Sequence, residues 1–155
     1  MNSTDQNIYC LDIISRLINN DVKGNIRAFR LKTDLDECTQ LMSKDFNLPV
    51  EDVRKFLVSI NANKNTIAHY ILKVSNKIVA HGAVVKTQLD PTKGMLNAIH
   101  ATEISYLKTL VNELSIHCKK EGIEKLYLKF THLDNDSPRI EPYKELGFVY
   151  TGKIH

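Results

Sequence analysis

Apolar residues recur at helical spacing in three stretches of the chain. Intervals of three and four residues place them on one face of a helix. The first stripe consists of Leu11, Ile14, Leu17 and Ile18. It predicts a helix over residues 7–20, and the other two stripes predict a helix that begins at Pro49 and a long helix over residues 103–121. A capping-box pattern that starts at Asp34 indicates a further helix.

Runs rich in β-branched residues lie between these helices and alternate apolar with polar positions. They predict strands at residues 26–31, 67–74, 77–87, 95–99 and 123–130, and one more after residue 148. Ser75-Asn76 indicates a hairpin between two of the runs. With a short helix before the last strand, the order is α-β-α-α-β-β-β-α-β-α-β. It predicts an α/β (α+β) protein with a mixed, mostly antiparallel central sheet and helices on both faces.

The size and charge of the chain narrow its possible partners. At 155 residues it is long enough for one domain with a sizeable core. The net charge of +3 comes from lysines scattered among acidic residues, so we expect no nucleic-acid surface. No apolar run approaches the roughly 18 residues of a membrane span, and the N-terminus lacks the pattern of a secretory signal. We therefore expect neither membrane nor nucleic acid as a partner.

Cysteines and histidines, the usual metal ligands, are dispersed. Cys10, Cys38 and Cys118 form no C-x-x-C pair, a pattern typical of reduced thiols inside the cell. The six histidines form no pair at i and i+4, so we expect no metal site. The sequence favours a cytoplasmic protein, with a nuclear one as the alternative.

The most informative segment spans residues 119–152. A helix ends at Gly122, a strand follows, and Ser137-Pro138 begins a short helix that carries Tyr143 and stops at Gly147. This order, with Tyr-Lys-Glu-Leu-Gly-Phe at its centre, resembles the C-terminal half of the GNAT (Gcn5-related N-acetyltransferase) superfamily.

The resemblance covers residues 25–152, and the element order of the chain also resembles the GNAT fold. It implies an acetyltransferase domain over residues 25–155. Residues 1–24 would then form an N-terminal extension with one helix.

The same resemblance implies acetyl-CoA as the acyl donor and a primary amine as the acceptor. Tyr143 holds the position of the family's proton donor to the departing thiolate, and a phenol with an ordinary pKa of about 10 stays protonated at neutral pH. His100 lies on the strand before the long helix, where the family often has its general base, and imidazole suits proton abstraction. Asn135 occupies the place of a family asparagine near the coenzyme arm.

The family's phosphate-binding glycines have no counterpart in this chain. Active members carry Arg/Gln-x-x-Gly-x-Gly/Ala at the start of the long helix, where backbone amides bind the coenzyme pyrophosphate. The matching residues 102–107 contain no glycine. The helix start still offers the candidate coenzyme-binding residues Glu103, Ile104, Ser105, Tyr106 and Leu107. A well-capped helix, with Thr102 as its cap, is the alternative explanation.

The family commonly closes its sheet with a further strand, and this sequence offers none after Gly152. We therefore expect an open sheet edge. The predicted N-terminal helix, a protein partner or a second copy of the chain would cover that edge, and the last of these predicts a homodimer.

Three functional hypotheses remain open at this point. The chain is an acetyl-CoA-dependent N-acetyltransferase with a divergent phosphate loop, or a pseudoenzyme of the GNAT fold that acts through protein contacts. The third hypothesis is an unrelated α/β binding module that shares the Gly-Phe pair by accident.

Overall fold

The computed structural model describes residues 6–13, 25–131 and 140–154 of the chain. No helix in these three ranges is long and apolar enough to cross a membrane. The described residues form seven strands and four helices, in the order β1 (Gln6–Asp12), β2 (Asn25–Ala28), α1 (Leu31–Phe46), α2 (Val50–Ala62), β3 (Thr66–Val74), β4 (Lys77–Lys86), β5 (Lys93–Ala101), α3 (Ile104–Lys120), β6 (Lys125–Thr131), α4 (Glu141–Glu145) and β7 (Val149–Ile154).

All seven strands join one sheet in the order β2-β3-β4-β5-β6-β1-β7. Every neighbouring pair is antiparallel except β5 and β6, which run parallel because α3 crosses between them. The predicted mixed, mostly antiparallel sheet is therefore confirmed. So is the β3–β4 hairpin, whose turn residues Ser75 and Asn76 have φ values of 52° and 64°.

Helices cover both faces of the sheet, as predicted. The core under α1 and α2 contains Cys38, Met42 and Leu57 from the helices and Ile71 and Ala83 from the strands. The larger core on the opposite face packs α3 and α4 against the sheet. Its buried side chains include Leu110 and Leu114 of α3, Leu126 and Leu128 of β6, Tyr143 of α4 and Leu146 immediately after α4.

The predicted helix over residues 7–20 is wrong where the structure describes it. Residues 6–12 form strand β1, which pairs with β6 on one side and with β7 on the other. Tyr9, Leu11 and Ile13 are buried while Cys10 is half-buried and Asp12 exposed, a period of two rather than of 3.6. Residues 14–24 lie outside the described part of the chain.

Strand β1 enters the sheet between β6 and β7, so β6 has a partner on each side. The N-terminal segment therefore lies within the sheet as a strand and does not cover its edge as a helix. Strand β7 is the outermost strand on this side, and its far side pairs with no strand among the described residues.

Helix α4 ends where the sequence predicted. Gly147 follows the helix with φ of +106°, a conformation that costs little only for glycine. The chain can therefore reverse at once and bury Phe148 under the sheet. The predicted start at Ser137-Pro138 lies outside the described residues.

Candidate functional site

The sheet separates between β5 and β6. The two parallel strands pair only from Lys93 with Lys125 to Met95 with Tyr127. Beyond that point no ladder joins residues 96–101 of β5 to residues 128–131 of β6, all of which the structure describes. A parallel pair that stops after three residues leaves a wedge-shaped opening in the sheet.

A β-bulge bends β5 beside this opening. In the ladder with β4, His100 pairs with His81 and Asn97 pairs with Ala83, so β5 carries one extra residue. Ala98 has φ of 54°, a left-handed conformation that is uncommon outside glycine. Strain of this kind concentrates at functional sites, where a bulge redirects a strand and its side chains.

A cavity of about 530 Å³ fills the opening. It is lined by β5 and β6 in the sheet, by α1 and α2 from one face, and by the start of α3 together with α4 from the other. The cavity thus connects the two helical layers through the sheet. A passage of this shape and size suits an extended ligand that approaches a second ligand from the opposite side.

Tyr143 lines the cavity from α4, as Pro142 does. The Tyr143 side chain is 8% exposed, and its ring meets Phe148 edge-to-face at 5.8 Å between centroids. The helix stop at Gly147 makes this packing possible because it brings Phe148 back beneath Tyr143. The phenol is thereby held at the cavity wall by a rigid apolar contact.

His100 lines the cavity from β5 and forms a close pair with an acidic residue of α1. Its Nε2 lies 2.6 Å from Oδ2 of Asp45. Phe46 meets the His100 ring edge-to-face at 5.0 Å, and the ring of His81 lies 6.0 Å away. The imidazole is therefore fixed on three sides.

His81 and His69 lie on neighbouring strands beneath α1 and α2. Burial lowers the pKa of His81 to about 3, and the neighbouring His100 and His69 act in the same direction. Burial also lowers the pKa of His69 to about 4. No nitrogen of either ring makes a hydrogen bond of normal geometry within the described residues. His81 is therefore uncharged at neutral pH, and it does not repel a proton on the neighbouring His100.

The start of α3 differs from the sequence prediction in its cap. Glu103 and not Thr102 is the N-cap residue, and no side chain caps the helix start by hydrogen bonding. The amides of Ile104, Ser105 and Tyr106 belong to the first turn, where no intrahelical acceptor exists. Ile104 and Ser105 are exposed, so an anion has access to their amides.

A second cavity of about 430 Å³ lies between this helix start and α4. It is lined by Ile104, Ser105, Lys108, Glu145 and Leu146. Lys108 is exposed and supplies a positive charge one turn into the helix. The site therefore combines free amides, a helix dipole and an ammonium group, all of which favour a phosphate.

The structure brings most of the sequence-predicted site residues to these two cavities. His100, Glu103, Ile104, Leu107 and Tyr143 line the first, and Ser105 lines the second with Ile104. Tyr106 packs against the large core and lines neither cavity. Asn135 lies outside the described residues.

Sequence reasoning missed the contribution of the first helical layer to the larger cavity. Met42, Asp45 and Phe46 reach it from α1 and Phe56 from α2, while Lys129 reaches it from β6. Asp45 and His100 are 55 residues apart, and no spacing rule connects them. The one local signal is an acidic residue in the last turn of a helix, where the dipole disfavours it.

Several solved structures share this fold. A Gcn5-related N-acetyltransferase from Sphaerobacter thermophilus superposes with a TM-score of 0.71 at 13% identity, covering 97% of this chain and 50% of that one. Ard1 from Thermoplasma volcanium gives 0.69 at 18% identity, covering 84% and 86%. A predicted acetyltransferase from Clostridium acetobutylicum, crystallised with acetyl-CoA, gives 0.60 at 19% identity, covering 83% and 92%. At these identities the likeness establishes the fold alone, and that fold is the GNAT fold.

The chain spans 50% to 61% of the length of the first four matching structures. No family model matches the chain, and no curated protein does.

Proposed function

We propose that this chain, with its GNAT fold, is an acetyl-CoA-dependent N-acetyltransferase that transfers acetyl to a primary amine. The observation that carries the proposal is the cavity through the separated sheet, which Tyr143 and His100 both line. Separation of two strands in the middle of a sheet leaves backbone hydrogen-bonding groups without their sheet partners, and this is costly. Such a separation is therefore expected to serve a function. An opening lined by a phenol and an imidazole is a place for acyl transfer.

The coenzyme would be bound at the N-terminus of α3. The exposed amides of Ile104 and Ser105 and the ammonium group of Lys108 suit its pyrophosphate, while the gap between β5 and β6 suits its pantetheine arm. The helix start lacks the family's glycines, but it also lacks a side-chain cap. Its first amides therefore make no hydrogen bond to a capping side chain and can donate to a ligand. Two carboxylates oppose an anion at this site: that of Glu103 at the helix start and that of Glu145, which lines the second cavity.

Two residues have chemical roles in this proposal. His100 accepts a proton from the acceptor ammonium, so that the amine nitrogen has the lone pair with which it attacks the thioester carbon. As the carbon–sulfur bond breaks, Tyr143 gives its hydroxyl proton to the sulfur, and solvent returns a proton to the phenolate. The attacking nitrogen loses a second proton to solvent as the adduct collapses, and His100 releases to solvent the proton that it accepted. The ammonium group therefore loses two protons in all, one of which is balanced on the coenzyme thiol and one in solvent, while the acetyl group moves from sulfur to nitrogen.

A GNAT-fold domain without catalytic activity is the second candidate. It is favoured by Glu103 at the anion site and by exposed apolar residues near the α1–α2 connection. Leu48, Val50 and Phe56 are 40% to 48% exposed, as a protein contact surface would require. A protein partner or a second copy of this chain would bind there.

The cellular setting proposed for the enzyme is the cytoplasm. Cys10, Cys38 and Cys118 are all free, as expected where thiols stay reduced.

Replacement of Tyr143 by phenylalanine tests the catalytic proposal. The ring and its contact with Phe148 stay, so coenzyme binding should not change, while the rate of coenzyme thiol release should fall by about 100-fold because the proton donor is lost. Thiol release is followed by a colorimetric thiol reagent and binding by calorimetry. Tyr150→Phe, at a tyrosine on β7 that lines neither cavity, is the matched control and should transfer at the normal rate. An unchanged rate in Tyr143→Phe would remove this residue from the mechanism.

A further inference from the structure

We propose that the Asp45–His100 pair is the binding site for the acceptor, and that the acceptor is a small primary amine with an apolar body. This inference rests on the proposed acetyltransferase function and names the substrate class of the same site. It is carried by the charge and the apolar lining of the cavity on the side of α1 and α2.

Asp45 has a free oxygen available for a cation. Oδ2 contacts Nε2 of His100, whereas Oδ1 has no partner within the described residues. The side chain is 33% exposed and lines the cavity, so an ammonium group has access to it. A hydrogen bond between a carboxylate and an ammonium group is charge-assisted and stronger than a neutral one.

The position of Asp45 in its helix supports a role in binding. It lies in the last turn of α1, next to the final residue Phe46, where the helix dipole is unfavourable for a negative charge. The contact with His100 is the only hydrogen bond or ion pair of its side chain within the described residues. A residue that opposes the local electrostatic preference is expected at a functional position.

The cavity wall around Asp45 is apolar. Met42 and Phe46 flank it on α1, and Phe56 reaches the cavity from α2 with 41% of its surface exposed. A half-exposed aromatic ring in a cavity gains stability when an apolar ligand covers it. The amine should therefore carry an aromatic or branched aliphatic body that packs on these three side chains.

The charges of the cavity disfavour an anionic acceptor. Asp45 and Glu103 both line it, and among the described residues Lys129 is the only lysine or arginine that does. A phosphorylated amino sugar would bring its phosphate next to carboxylates in a cavity where solvent screening is reduced. We therefore expect such an acceptor to be rejected.

The pair also defines which nitrogen of His100 acts. A proton on Nε2 is shared with Asp45, so in the neutral ring Nδ1 carries the lone pair. Asp45 first attracts the ammonium group into the cavity, and it also fixes the tautomer whose Nδ1 removes a proton once the amine has moved to the other side of the ring. In this second role it is a positioning residue.

Calorimetric titration of the full chain with 2-phenylethylamine, without coenzyme, tests the proposal. Its matched neutral probe is 2-phenylethanol, and glucosamine 6-phosphate is the anionic probe. The amine should bind at least tenfold more tightly than either. Asp45→Asn should weaken amine binding by about tenfold or more, since the charge is lost and the side-chain shape is kept. Asp36→Asn removes the same charge from an exposed position of α1 that does not line the cavity, and it should bind normally.

Equal binding of the amine and the alcohol to the unmodified chain would overturn the proposal, and this comparison needs no variant to fold. Tighter binding of glucosamine 6-phosphate, or an unchanged affinity in Asp45→Asn, would overturn it as well. Long-range ¹H–¹⁵N NMR gives an independent readout: the neutral His100 ring should carry its proton on Nε2 in the unmodified chain, and a proton on Nδ1 would contradict the hydrogen bond from Nε2 to Asp45. If the amine binds through Asp45 while acetyl-CoA does not bind at all, the acetyltransferase function fails and the amine site stands.

Discussion

At the scale of single residues, the fold is made sensitive to acid by two histidines beneath α1 and α2: His81, which is buried, and His69, which is half-buried but has buried ring nitrogens. In the unfolded chain each histidine takes up a proton near pH 6.5, whereas burial lowers the pKa of His81 to about 3 and that of His69 to about 4. Between those values the unfolded state binds more protons than the folded state. The free energy of unfolding therefore falls as the pH falls below about 6.5, and it gains nothing from these groups above that pH.

This linkage predicts a loss of roughly 4 kcal/mol of stability between pH 7 and pH 5, about half from each histidine. His81→Leu has no titrating group, so about half of the loss should disappear and the variant should be more stable than the unmodified chain at pH 5. Urea unfolding at a series of pH values measures both quantities. A His81→Leu variant with the same pH slope as the unmodified chain would show that the buried ring is not neutral.

The sequence predicted some of the residues that line the larger cavity and missed others, for a physical reason. Tyr143 and His100 were found because each occupies a position in a local pattern, before a Gly-Phe pair or on the strand before a long helix. Asp45 was missed because its role depends on a contact with His100, 55 residues away, that only the packing of α1 on the sheet creates. Local patterns carry no information about such contacts.

At the scale of elements, strand β1 shows how sheet pairing overrides a local signal. Leu11 belongs to a helical stripe with Ile14, but it also alternates with Tyr9 and Ile13 as in a strand. In so short a segment the sequence does not distinguish a helical period from a strand period. Two unpaired neighbours, β6 and β7, decide it, because each offers a full set of backbone hydrogen-bonding groups to the segment. Longer periodic runs, such as those of α2 and α3, were predicted correctly. The strand predicted over residues 26–31 was too long, because β2 ends at Ala28 and Leu31 already begins α1.

Tyr9 distinguishes the strand from the helix, because it lies outside the helical stripe yet is fully buried in β1. Tyr9→Ala should lower the free energy of unfolding by about 3–5 kcal/mol, as other large-to-small changes of buried aromatic residues do. Tyr150→Ala, at a residue that is 38% exposed on β7, is the control and should cost clearly less. Denaturant unfolding compares the two. Equal, small losses would contradict the position of β1 in the sheet.

At the scale of the whole molecule, the two helical layers contribute different halves of one site. The layer of α3 and α4 supplies Tyr143 and the helix start proposed to bind an anion, and the layer of α1 and α2 supplies Asp45 and the apolar wall. They meet only because β5 and β6 separate after Met95 and Tyr127. The sequence predicted the helices and strands on each side of this opening. It did not predict the bulge at Ala98, because the position with a positive φ is an alanine and not the glycine that would have indicated it.

A calorimetric titration of the chain with acetyl-CoA tests directly whether the start of α3 binds the coenzyme. We expect one saturable site, and we expect Ser105→Glu to weaken binding by about tenfold or more, because a carboxylate at the helix start repels the pyrophosphate. Asn61→Glu, which adds the same charge to an exposed position of α2, should bind as the unmodified chain does. The absence of heat and of thermal stabilisation at millimolar acetyl-CoA would contradict coenzyme binding at this site.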